Sequence, residues 1–182
     1  MISVLPAMAI GALVFVGPAD PVAVDPVRPI VKRTSRELLE SPDRRVRTTD
    51  ASVRKVLAAG LERSPTFAAL MTALDRTDVI VYIEINRKLP TVIAGRLLIV
   101  PAATPQRYLR IEIAPGGSLL DLVATVGHEL QHALEVGEAP DVRDAESLEE
   151  LYARIGLRGI GAHSYDTPAA QKAGRRIRFE VG

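Results

Sequence analysis

The chain has 182 residues, 47% of them hydrophobic and 25% charged. This composition suits one globular domain with a core of its own and excludes an intrinsically disordered chain. The formal net charge of +1 makes no case for nucleic acid or a strongly acidic partner, and the absence of cysteine excludes a disulfide scaffold, a thiolate metal site and a lipidated N-terminal cysteine.

Met1–Val16 is uncharged and mostly apolar, and Gly17-Pro18-Ala19 follows with small residues where a signal peptidase would read. Residues 1–19 are therefore expected to be a secretory signal peptide, although the usual basic residues near its start are missing. The alternatives are an uncleaved membrane anchor, because about 19 uncharged residues just span a bilayer, or a mere apolar start. The first two readings predict an exported protein, periplasmic or secreted, tethered to the membrane in the second. Residues 20–34 contain Pro21, Pro26 and Pro29 and read as an extended linker. The folded domain is expected over residues 35–182.

Thr34 with Glu37 fits a capping box and predicts a short helix over Ser35–Glu40. The cations from Lys32 to Arg47 alternate with Glu37, Glu40 and Asp43, as on a solvated face. Asp50–Leu61 has Val53, Val56, Leu57 and Leu61 at helical spacing. Ser64-Pro65 restarts a helix through Leu74, with serine as cap and proline in the first turn. Val79–Ile85 and Arg107–Ile113 alternate as strands, with a shorter strand at Leu97–Val100 between them. A short, mostly antiparallel sheet is the expectation.

Gly116 and Gly117 end the last strand, and Ser118–Glu135 reads as one helix, with Leu119, Leu122, Val123, Val126, Leu130 and Leu134 at three- and four-residue steps. It contains His128-Glu129-Leu130-Gln131-His132 and so uses two of the three histidines in the chain. Residues four apart on a helix lie one above the other, so the two imidazoles can share one metal ion. Zinc lowers the pKa of a bound water to about 7. Glu129, near the edge of the same face, can take that water's proton and pass it to a leaving amine.

This HExxH helix resembles the zincin metallopeptidases, in which the two histidines bind zinc and the glutamate is the general base. The resemblance implies those roles for His128, Glu129 and His132, a Zn2+ cofactor and a peptide or protein substrate. It also implies a small α+β domain whose sheet-edge strand runs beside the cleft and pairs with an extended substrate. Element order agrees from about Val79 to Gly174, while only the five-residue motif is specific.

Gly137 and Pro140 close the motif helix, Asp141 or Asp144 caps another through Ile155, and a glycine-rich loop spans Gly156–Gly161. The third zinc ligand is open. The compact HExxHxxGxxH pattern fails, with Glu135 and Glu138 at its glycine and last histidine. Glu135, one turn past His132, suits a role in orienting a ligand. The gluzincin arrangement offers Glu146, Glu149 and Glu150. Asp166-Thr167-Pro168-Ala169-Ala170 resembles the E-x-x-A run that carries the third ligand in several gluzincins, with aspartate for glutamate. That resemblance favours Asp166, although Asp166 or Thr167 would also make a good N-cap before Pro168. His163 is a further candidate ligand, and His163 and Tyr165 are candidate hydrogen-bond donors to the oxyanion of the reaction. The expected function is zinc-dependent peptide hydrolysis; the alternatives are a degenerate zincin-like domain that binds zinc or peptide without turnover, and a metal-free structural or membrane-tethered interaction domain.

Overall fold

The computed structural model describes Leu39, Ser41 and residues 43–102, 104–158 and 165–182. The expected signal or anchor at 1–19, the linker at 20–34, nearly all of the expected helix at 35–40, and His163 lie outside the described residues. The elements are, in order, β1 (Val46–Arg47), α1 (Ala51–Arg63), α2 (Pro65–Leu74), β2 (Val79–Ile85), β3 (Gly95–Val100), β4 (Arg107–Ile113), α3 (Leu119–Gly137), α4 (Ala145–Ile155), β5 (Leu157–Arg158), β6 (Tyr165–Asp166) and α5 (Pro168–Val181). This is a mixed α+β fold. Among the described residues no helix is long and apolar enough to cross a membrane.

Local chemistry sets the boundaries. Asp50 caps α1, accepting from the amides of Ser52 and Val53. Ser64 ends one helix and starts the next: its amide donates to Gly60 O, and its hydroxyl accepts from Phe67 N. Gly116 and Gly117 adopt φ of 95° and 86°, which only glycine adopts without strain, and turn the chain into α3. There Ser118 and Asp121 form a capping box. Asp144, not Asp141, caps α4.

The four-stranded sheet has the order β1-β2-β4-β3, with β1–β2 and β2–β4 parallel and β3–β4 antiparallel. The expectation of a mostly antiparallel sheet is therefore corrected: two of its three pairings are parallel. Alternating residues report which face of a strand is buried, not which way its neighbour runs. Direction is set by the connection. The chain between Ile85 and Arg107 carries β3 out to the sheet edge, and β4 returns between β3 and β2, a crossover long enough for parallel pairing.

α3 is the central helix, packed on β2, β3 and β4 and against α1, α2 and α5. Leu109, Ile111 and Ile113 are fully buried, as are Val126 and Leu130 of α3 and Phe67, Met71 and Leu74 of α2. Each such side chain contributes about 1.5–3 kcal/mol by leaving water. The far end of α3 is fastened by a buried cation. Arg107 Nη1 donates to the carbonyls of Val136 (2.8 Å), Ala139 (2.7 Å) and Val142 (3.1 Å), while Nε and Nη2 reach Asp78. Carbonyls left over at a helix C-terminus are thus satisfied without water.

Candidate metal centre

α3 presents His128 and His132 one turn apart, their ring centroids separated by 4.9 Å. Asp166 comes from the end of β6, just before α5. Its Oδ1 lies 3.3 Å from His128 Nε2 and 3.7 Å from His132 Nε2. One ligand atom from each residue can be chosen so that all lie within 4.8 Å of one another. Asp166 Oδ1 is buried with no hydrogen-bond partner, whereas Oδ2 accepts from Gln171 Nε2 at 3.0 Å. A buried carboxylate oxygen left without a donor is costly. Faced by two imidazole nitrogens, it completes a donor set that fits a divalent metal ion.

The approach of α5 makes this possible. A Cβ on Gly174 would sit 3.4 Å from His128 Cβ and 3.5 Å from Ala124 O, and a Cβ on Gly127 would overlap Ile177 Cδ1 at 2.2 Å. With Ala170 and Ala173 buried beside them, these small residues let α5 lie close on α3. Ala169 is exposed, because it is off the Ala170–Ala173–Ile177 stripe. Thr167 is the N-cap of α5, its hydroxyl accepting from Ala170 N at 3.0 Å. Asp166 is therefore not occupied as a cap.

Glu135 holds His132 in place. With the proton on Nδ1, His132 donates to Glu135 Oε2 at 2.9 Å, and Nε2 keeps its lone pair for the cluster. Glu135 Oε1 accepts in turn from Thr167 Oγ1 at 2.6 Å. Tyr152 of α4 donates to His132 O at 3.3 Å and sets its ring edge-on to the imidazole.

Burial dominates the electrostatics. It pushes the Glu129 carboxyl up to about 7; His132 draws it down and Asp166 pushes it further up. Burial also lowers His128, as does the neighbouring His132, which favours the neutral, metal-binding form. Burial alone would lower His132, but the hydrogen bond to Glu135 and the nearby carboxylates outweigh it and raise the pKa. Burial raises the phenol of Tyr152, which stays neutral.

The cluster lies in a cleft of about 1030 Å³ between the start of β3, α3, α4 and α5. Gly95 opens β3 directly against the site, where a Cβ would lie 2.9 Å from both Glu129 Oε1 and Thr125 Cγ2. The strand expected from Leu97 in fact begins at Gly95.

The structure thus brings His128, His132 and Asp166 together, with Glu129 alongside. Among the described residues no other histidine, aspartate or glutamate joins them. Glu138 instead caps α3, Glu146, Glu149 and Glu150 lie on α4, and Glu149 lines the cleft. Tyr165 precedes Asp166 in β6, its backbone paired with Arg158. Sequence reasoning missed Gly95 and Tyr152; a lone glycine at the start of a strand is the signal that marks a close backbone approach.

Comparison with known proteins returns no match: no family model, no curated protein and no solved structure matches this chain.

Proposed function

We propose that the domain is a zinc-dependent peptidase of the zincin type. The observation that carries the reading is the undonated, buried Asp166 Oδ1 facing His128 Nε2 and His132 Nε2, with the buried Glu129 carboxyl beside them in an open cleft. Two imidazoles and one carboxylate suit zinc and leave a position free for substrate or water, as catalytic sites require. Bound there, zinc would supply Lewis-acid polarisation of a carbonyl and a lowered water pKa.

The chain's own residues do the rest. Glu129, buried beside the cluster in the cleft, would take a proton from the attacking water and hand it to the leaving amine. Glu135 fixes the His132 ring, and Gln171 steadies the Asp166 carboxylate. β3 is the edge strand of the sheet, so its outer backbone groups can pair with an extended peptide. His163 and Tyr165 enter as oxyanion donors on sequence grounds alone. The apolar start of the chain supports an exported enzyme.

The test is direct. Purified protein should bind about one zinc and cleave an unspecific peptide mixture. Glu129→Gln should keep the metal and lose activity by a factor of roughly 10²–10⁴. Zinc retained by a wild-type protein that cleaves no peptide would favour a binding domain without turnover. Failure to bind zinc at all would sink both readings.

A further inference from the structure

The cleft is unevenly charged along its length. β3 begins at Gly95 against Thr125 and Glu129, and its last residue pairs with Tyr108, next to the Arg107 that holds the far end of α3. β3 and α3 therefore run the same way along the cleft. α5 runs the opposite way, with Gly174 on Ala124 and His128, Arg178 bound to Asp121, and Gly182 beside Leu120. Arg175 and Arg178 consequently lie at the end where β3 starts. Arg96, the other cation lining the cleft among the described residues, is engaged by the buried Glu112, and Arg178 by Asp121. Arg175 is exposed and has no carboxylate partner among the described residues. It follows Gly174, where a Cβ would lie 3.6 Å from His128 Nδ1, so its side chain starts within one residue of the metal cluster.

Resting on the peptidase reading, we propose that this end of the cleft is a carboxylate-binding subsite, and that substrates carry a carboxylate about one or two residues from the bond that is cut. Arg175 supplies the planar pair of donors that a carboxylate takes bidentately, while Arg178 is already neutralised by Asp121. An aspartate or glutamate side chain and a peptide's own terminal carboxylate offer the same chemistry.

The proposal is tested by peptide binding to the zinc-loaded Glu129→Gln protein, which holds substrate without consuming it. Fluorescein-labelled alanine octapeptides are compared in four forms: amide-capped, amide-capped with one glutamate, amide-capped with one lysine at the same place, and uncapped with a free terminal carboxylate. The position of the charged residue is walked along the peptide. At low salt the glutamate or the free-acid peptide should bind roughly five- to tenfold more tightly than the neutral one, and the lysine peptide more weakly. Which of the two is preferred identifies the source of the carboxylate. The advantage should shrink as salt is raised, vanish with Arg175→Ala and turn towards lysine with Arg175→Glu, the variants keeping wild-type melting temperatures. Equal binding of all four peptides, or a carboxylate preference that survives Arg175→Ala, overturns the subsite and leaves the peptidase reading standing. No binding of any peptide sinks the peptidase reading, and the subsite with it.

Discussion

At the scale of single residues, Asp166 and Glu135 have separable jobs. Because Thr167 caps α5, Asp166→Asn should leave the melting temperature of the metal-free protein nearly unchanged while zinc affinity falls roughly 100-fold or more, since the amide is a poor zinc ligand. Calorimetry and chelator competition on the same samples check both halves. Glu135→Gln should be milder, weakening zinc about 10–100-fold by loosening the His132 ring. Legibility in the sequence follows the same division. His128, Glu129 and His132 can be read from one helix, because their spacing alone puts them together. Asp166 is 34 residues beyond His132 in the chain. Only its likeness to the E-x-x-A run favours it, and its distance from the histidines depends on the close approach of α5 to α3 at Gly174, which spacing alone does not encode.

At the scale of elements, β3 and α5 are each tied to the rest by a contact with a measurable consequence. Gly95→Ala sets a methyl against Glu129 Oε1 and Thr125, so either the edge strand or the Glu129 side chain must move. Turnover should drop roughly tenfold, as small misplacements of reacting groups do, while zinc binding is kept; steady-state kinetics and metal analysis separate the two. In α5, burial alone would raise the pKa of Glu180. Hydrogen bonds from Ser64 Oγ, Thr66 N, Arg176 and Thr66 Oγ1 outweigh it and hold the carboxyl down at about 2. The ordinary value is 4.5, so between 4.5 and about 2 the unfolded chain binds more protons than the folded one. The stability Glu180 supplies is present above pH 4.5 and is lost as pH falls towards 2. Glu180→Gln should be less stable than wild type at pH 7 and show a flatter fall in denaturant midpoint through that window. The helices and three of the four sheet strands were legible because burial writes its period into them. β1 was not: two residues are too short to show a period, and Val46 and Arg47 become a strand only by pairing with β2.

At the scale of the whole molecule, the candidate ligands join α3 to the junction of β6 and α5, so a bound ion would bridge segments far apart in the chain. Zinc at about 100 times its dissociation constant should stabilise the fold by about 2.7 kcal/mol. This corresponds to a rise in melting temperature of about 5–10 °C for a domain of this size, reversed by a chelator and absent in Asp166→Asn. Gly127→Ala sets a methyl onto Ile177 Cδ1, so the buried Ile177 side chain must repack between α3 and α5. It should cost about 1–3 kcal/mol of stability and weaken zinc in the same variant, read by denaturant titration and metal competition. The direction of the strands belongs to this scale too: β2 and β4 are parallel because of what lies between them, and a strand's own residues carry no record of that.

The Thr167 hydroxyl works in two directions at once, towards Ala170 N and towards Glu135 Oε1. The start of a helix and the orientation of His132 therefore share a common gauge. Fraying of the first turn of α5 would carry Asp166 away and release the His132 ring in one movement. The cluster is built to fail all together, so loss of metal on heating should be a single sharp event and not a stepwise shedding of ligands.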